Sequence, residues 1–288
     1  MAFTTDLLAS VVHGKRPALP PPYFDLAERT CMTNHTAIVK FDHVEKRYGD
    51  GPVILDQISF AAKRGDFISL IGPSGCGKST ILKLISGLNP ITSGVASVEG
   101  VSPENAAQEL AFVFQEPTLL PWLNVQRNVE VPLKLRGVES TKRAKIALQC
   151  LDLVGLAGRA TYYPRQLSGG QKMRVSIARA LSLSPKILLL DEPFGALDEM
   201  TRDHLNEELL GIRDQKAWTA FFVTHSVAEA VFLSNRIFVL SANPGRLHRE
   251  IPVDLPYPRT EETRQSPDYQ RLVAEVSKLL RSVENAQP

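Results

Sequence analysis

Two short segments carry residues whose types and spacing suit chemistry on a nucleoside triphosphate. Gly72-Pro73-Ser74-Gly75-Cys76-Gly77-Lys78-Ser79, with Thr80 following, fits the pattern G-x-x-x-x-G-K-[ST] in full. Its glycines let backbone N–H groups turn inward and approach phosphate oxygens without a Cβ in the way. Lys78 supplies a point charge for the β- and γ-phosphates, and the Ser79 hydroxyl can ligate Mg²⁺. The helix expected over Thr80–Ser86 adds the positive end of its dipole. A tight strand-to-helix turn with a chance lysine would look similar, and the motif alone specifies a nucleotide and nothing more.

The second segment is Ile187-Leu188-Leu189-Leu190-Asp191-Glu192, an apolar strand that ends in two carboxylates. Ligand groups collect at the carboxyl ends of parallel strands. Asp191 is placed to hold Mg²⁺, directly or through its waters, and Glu192 is a candidate base for the attacking water. Two acids closing a strand in solvent are common, so this pair gains its meaning from Lys78 and Ser79 upstream.

A third segment, Leu167-Ser168-Gly169-Gly170-Gln171, opens a helix expected over Lys172–Leu183. Serine and two glycines at a helix start expose free N–H groups able to receive an anion, although an ordinary capped helix would read the same way. With these three motifs in this order, residues 37–240 resemble the ABC ATPase family. The resemblance implies a P-loop NTPase core with a parallel sheet, an antiparallel β subdomain and an inserted helical subdomain. It also implies ATP and Mg²⁺ as ligands, with two ATPs held between two head-to-tail cassettes. Ser168 and Gly170 would then act in trans on the γ-phosphate held by the other copy.

The family's other positions can be matched residue by residue. Tyr48 matches the aromatic residue that stacks on adenine, with a plain turn aromatic as its ordinary alternative. Gln115, in Val113-Phe114-Gln115-Glu116, matches the glutamine that senses Mg²⁺ and water. Asp198, in Gly195-Ala196-Leu197-Asp198, matches the acid that communicates across the dimer. His225 follows an apolar strand and matches the switch histidine at the γ-phosphate. The resemblance thus makes Glu192, His225 and Gln115 the catalytic set, and Ser79, Gln115 and Asp191 the metal set.

The elements that must hold these residues can be read from the patterning. Ile38–Val44 and Val53–Ala61 suggest antiparallel strands about a turn at Tyr48–Gly51. Phe67–Ile71, Ile187–Leu190, Thr219–Val223 and Arg236–Leu240 are short apolar strands, and helices over Thr201–Asp214 and Val227–Leu233 alternate with them. That alternation predicts an α/β fold whose parallel sheet is covered on both faces. Residues 116–178 read as a mostly helical insertion. Residues 241–288 form a Pro-rich segment and a closing helix whose Leu272, Val273, Val276, Leu279 and Leu280 share a face. Residues 1–36, broken by Leu19-Pro20-Pro21-Pro22, read either as a disordered extension or as sequence upstream of a true start at Met32.

Composition sets the outer bounds. With 43% apolar and 22% charged residues the chain reads as an ordinary globular protein, and a net charge of +2 gives no footprint for nucleic acid. Cys31, Cys76 and Cys150 are too few and scattered for a disulfide framework, which fits a reducing, cytoplasmic setting. No run of about 18 apolar residues is present, so any work at a membrane needs spanning subunits from elsewhere.

A single cassette without spanning helices resembles the energy subunit of a bacterial importer, peripheral on the cytoplasmic face of the inner membrane. Its partners would be a second copy of itself, integral permease subunits and, indirectly, a substrate-binding protein. Glu116–Leu123, with Trp122, sits where the family receives the permease's coupling helix. Leu120-Pro121-Trp122, Asn243-Pro244-Gly245-Arg246 and Pro256-Tyr257-Pro258-Arg259 resemble the nitrate, sulfonate, taurine and bicarbonate importer group. The alternatives are an exporter, a repair or regulatory ABC ATPase, and a nucleotide-dependent scaffold. The intact Glu192 and His225 disfavour the scaffold.

Overall fold

The computed structural model describes residues 37–215 and 218–285. The expectations placed on residues 1–36, including the start at Met32, lie outside them.

Two sheets organise the described chain. Strands β1 (Val39–Arg47), β2 (Val53–Ala62) and β4 (Ser93–Val98) form an antiparallel sheet in the order β2-β1-β4. Strands β3 (Phe67–Ile71), β5 (Leu110–Val113), β6 (Ile187–Asp191), β7 (Thr219–Val223), β8 (Arg236–Ser241) and β9 (Arg246–Pro252) form the larger sheet, ordered β5-β6-β7-β3-β8-β9. Its first five strands are parallel, and β9 runs antiparallel to β8.

Strand composition explains the difference. β3 and β7 are buried at every residue, as strands covered on both faces must be, and read as near-continuous apolar runs broken only by Ser69 and Thr219. β1 and β2 instead alternate buried and exposed positions along most of their length. Successive residues of the central strands feed two separate cores. Phe67, Leu188, Leu190 and Phe222 join one side, while Ile68, Leu189, Phe221 and Val223 join the other. Helix α1 (Lys78–Ile85) contributes Ile81, Leu82, Leu84 and Ile85 to the second core, which it shares with the small sheet.

The expected insertion contains three α-helices: α2 (Val125–Leu135), α3 (Ser140–Leu153) and α4 (Gly169–Leu181). They pack on one another through Val125, Val129, Ala147, Leu151, Met173 and Ile177. Helix α5 (Glu199–Gln215) starts two residues before its expected position, and α6 (Val227–Leu233) lies where expected. The chain ends in α7 (Glu261–Gln265) and α8 (Pro267–Asn285). Tyr269, Val276 and Val283 of α8 are buried, and Leu272, Val273 and Leu279 lean on the same core. The closing helix packs, as its apolar face requires.

Two features correct the reading from patterning. A division between residues 240 and 241 falls inside the larger sheet, because β9 pairs with β8 across it. β9 is an edge strand of sequence RLHREIP, too polar to announce itself, with Pro252 at its last position where no ladder bond is lost. Likewise the segment before the helical insertion holds β4 and β5. The first is built from small residues, and the second is four residues long.

Candidate functional site

The phosphate loop lies between β3 and α1, at the carboxyl end of the larger sheet. Gly77 caps α1 with φ 93°, and a Cβ there would stand 2.4 Å from Leu55 Cδ2. Only glycine meets both the left-handed backbone and the close approach of β2. Lys78 is 5% exposed, and its ammonium donates to the carbonyls of Gly72 at 2.9 Å and Pro73 at 3.0 Å. Its acceptors are two carbonyl dipoles and the Cys76 sulfur at 3.8 Å, and the cation lacks a carboxylate among its hydrogen-bond partners. Cys76 is buried behind the loop, and burial pushes its thiol up from the ordinary value.

Ser74, Gly75, Gly77, Lys78, Ser79 and Thr80 line a cavity of about 260 Å³, closed by Ile54, Glu192 and His225. Ile54 was not foreseen. It is one of several apolar residues in β2, and nothing in its spacing separates a pocket wall from a core contact.

The acidic strand end meets the loop across the sheet. The Ser79 hydroxyl donates to Asp191 Oδ1 at 2.8 Å. Burial raises the Asp191 carboxyl above its ordinary value, although the Ser79 hydrogen bond pulls the other way. Glu192, just beyond β6, adopts φ 47°, and its amide donates to the Val223 carbonyl at 3.0 Å. Its Oε1 lies 2.6 Å from His225 Nε2. The cavity thus joins a buried cation, a hydroxyl–carboxylate pair and a carboxylate–imidazole pair. That set can neutralise phosphate oxygens, ligate a hard cation and deprotonate water.

Other expected residues stand apart from this cavity. Tyr48 lies in the turn after β1, 49% exposed, with its ring under Lys46 Nζ at 4.6 Å and its hydroxyl accepting from Asn89 Nδ2 at 2.7 Å. Gln115 is exposed just after β5 and does not line the cavity. The Pro117–Thr118 stretch beyond it is held by Arg179 of α4, which donates to both carbonyls at 2.9 Å.

The Leu167–Gln171 segment also lies outside the cavity. Ser168 caps α4, its hydroxyl accepting from the Gln171 amide at 3.3 Å while its own amide donates to Gln171 Oε1 at 3.1 Å. Leu167 is buried, and a Cβ on Gly170 would come within 3.1 Å of Thr201 Cγ2. Asp198 accepts from the Thr201 amide at 3.0 Å, which holds its carboxyl below the ordinary value.

A larger groove of about 820 Å³ runs over the helical insertion, lined among others by Leu120, Trp122, Leu123, Arg127 and Leu135. Trp122 is 70% exposed. The loop that carries it is fixed by Asn128, which is fully buried. The Asn128 amide donates to the carbonyls of Leu120, Leu123 and Asn124, and its oxygen accepts from the Leu120 amide at 2.8 Å. Among the described residues, no helix is long and apolar enough to cross a membrane.

The chain is similar to known proteins in sequence and fold. Residues 55–195 match the ABC transporter family. An ATP-binding protein of Brucella abortus is 45% identical over 231 residues, covering 80% of this chain and 88% of its own. The aliphatic sulfonates import ATP-binding protein SsuB of Bacillus licheniformis is 44% identical over 243 residues, covering 83% and 93% respectively. Among solved structures, a dimeric post-hydrolysis state of the ATP-binding cassette MJ0796 with ADP and Pi superposes with a TM-score of 0.68. It is 35% identical and covers 75% of this chain and 99% of its own.

Proposed function

Because this chain belongs to the ABC transporter family and is an ATPase of that family, we propose that it is the energy-coupling subunit of an importer for a small sulfonate-like solute. The observation that carries the proposal is the 44% identity to a sulfonate import subunit over 243 residues, against 35% to the MJ0796 cassette over 75% of this chain. A nitrate, taurine or bicarbonate importer would use the same cassette, since the solute is recognised by other subunits.

The nucleotide is bound by the loop amides of residues 72–79, the N-terminus of α1 and Lys78. Lys78 fits that task because it is a buried cation held by two carbonyls and the Cys76 sulfur, with no anion among its hydrogen-bond partners, and an anionic phosphate is a better partner. Ser79 and Asp191 form an oxygen pair suited to Mg²⁺, and Gln115, which lies outside the cavity, is a further ligand only on the family resemblance. Burial makes the Asp191 charge costly, and a divalent cation would offset that cost. When bound, the metal supplies charge neutralisation at the phosphates.

Glu192 accepts the proton of the attacking water, and His225 holds Glu192 in place from its side. Tyr48 lies upstream as the stacking surface for the base. The cavity has no wall from Leu167–Gln171, so that segment serves the site of a second copy, with Asp198 beside it at the junction. Two copies would face a permease, its cytoplasmic helix seated in the groove beside Trp122. The chain would then be peripheral on the cytoplasmic face of the membrane, reaching a substrate-binding protein only through the permease.

Glu192→Gln tests the reading. The variant should hydrolyse ATP at least ~10²-fold more slowly and accumulate as an ATP-bound dimer on sizing columns. Wild-type turnover would sink the base assignment. Failure to co-purify a permease from membranes would sink the transport assignment.

A further inference from the structure

His225 sits in a short stretch whose neighbours are tied to one buried acid. Glu229 of α6 is 4% exposed, and its Oε2 accepts from the Thr224 hydroxyl. The Thr224 oxygen in turn accepts from the Ser226 amide at 2.9 Å, and the Ser226 hydroxyl accepts from the Glu229 amide at 3.3 Å. Residues 224 and 226 are thereby fixed to the first turn of α6, and the orientation of His225 between them follows Glu229.

Glu229 has a second neighbour on another element. Arg202 of α5 places Nε 3.7 Å from Glu229 Oε1, too long for a hydrogen bond, beside the fully buried Asn206 of the same helix, which also interacts with the Glu229 carboxylate. The other end of the same guanidinium donates to the Leu197 carbonyl at 2.9 Å. Leu197 packs on the Ser168–Gly170 turn that opens α4, the signature turn, its Cδ2 lying 3.6 Å from the Cβ position of Gly169 and 3.9 Å from that of Gly170. Thr201, on the first turn of α5, touches the same turn.

We infer that Arg202 and Glu229 are positioning residues that link, within one chain, the signature turn Ser168–Gly170 to His225. The inference rests on the proposed reading that the signature serves a second cassette. Each chain would then adjust its own catalytic histidine according to whether its signature is engaged at the other ATP. The gap between Arg202 and Glu229 supplies the two states. A shift of under about 1 Å at Leu197 closes it into a charge-assisted hydrogen bond or opens it further. Neither residue lines the nucleotide cavity, so ATP binding itself is not their task.

A double-mutant cycle on the full-length chain tests the link, with ATP hydrolysis measured as a function of ATP concentration. The wild type should show a Hill coefficient above 1. Arg202→Met and Glu229→Gln should each lower kcat ~tenfold, leave KM for ATP within about threefold, and bring the Hill coefficient to about 1. The double variant should lose no more than the worse single one, because both break the same connection. Arg202→Lys guards against loss of fold. Its single ammonium stays near Glu229 without also bridging the Leu197 carbonyl, so it should melt like wild type and still lose cooperativity.

Multiplicative losses in the double variant, cooperativity retained in Arg202→Lys, or a wild-type Hill coefficient of 1 would each overturn the link. The Glu192→Gln variant separates the two levels of failure. An ATP-trapped dimer together with multiplicative losses removes the link alone. Absence of that dimer removes the pairing on which the link depends.

Discussion

The imidazole Nε2 of His225 stands 2.6 Å from Oε1 of Glu192, and Glu192 holds this place with a left-handed backbone at φ 47°. A glutamate at positive φ costs roughly 1–3 kcal/mol, a strain that is retained where surrounding structure and function require it. Here the Glu192 amide is tied to Val223 O, so the end of β7 fixes the carboxylate against the residue two positions after that strand. His225→Ala removes the group that orients Glu192. Hydrolysis should fall ~10²-fold while ATP binding, measured by nucleotide fluorescence, stays close to wild type. Undiminished kcat would remove His225 from the catalytic set.

Gly77→Ala should damage the loop from a different direction. The substitution meets φ 93° and a Leu55 methyl 2.4 Å from the new Cβ, and Leu55 is itself fully buried in β2. The variant should lose ~1–3 kcal/mol in denaturant unfolding and bind ATP at least ~tenfold more weakly. Wild-type stability would mean that the loop relaxes freely, contrary to the packing against β2.

How much of this was legible in the sequence follows from distance along the chain. The loop at 72–79 and the acidic end of β6 are each specified by adjacent residues and lie where the pattern puts them, whereas the helix after Ser168 starts at Gly169, three residues before the expected Lys172, because Ser168 itself caps it. The central strands of the large sheet were equally clear, since β3, β6 and β7 are almost wholly apolar. What escaped notice depends on partners remote in sequence. Asn128 looks like a polar interruption of an amphipathic helix until its amide is seen gripping three carbonyls of the preceding loop. Arg202 and Glu229 are ordinary charges on two helices, and only the packing of α5 against α6 makes them neighbours. β9 escaped because an edge strand needs little apolar surface.

Glu139 gives a prediction in pH. It caps α3, accepting from the Thr141 hydroxyl and from the amides of Thr141 at 2.9 Å and Lys142 at 3.1 Å. Those bonds lower its carboxyl from 4.5 to about 2. A depressed carboxylate stabilises the fold above its unfolded value and loses that contribution as pH falls through the folded one. Melting curves of wild type and Glu139→Ala should therefore be furthest apart above pH 4.5 and converge as pH falls towards about 2. A gap that stays constant over that range would show that the cap acts without its charge.

Trp122 makes the docking groove testable apart from the chemistry. Its side chain is 70% exposed and Leu135, in the same groove, is 84% exposed, an arrangement that leaves large apolar surface in water unless something covers it. An aromatic anchor in such a groove is worth about 2 kcal/mol or more to a partner helix, roughly thirtyfold in affinity. Trp122→Ala should therefore reduce co-purification with the permease about thirtyfold and leave the melting temperature unchanged, since the ring contributes little to the core. Asn128→Ala should also weaken docking, because the Leu120–Asn124 loop loses its anchor. It should lower the melting temperature as well, because a buried amide with four hydrogen bonds is removed. If Trp122→Ala binds the permease undiminished while Asn128→Ala does not, the loop's backbone rather than the ring makes the contact. If neither variant weakens the complex, the permease docks elsewhere on the cassette.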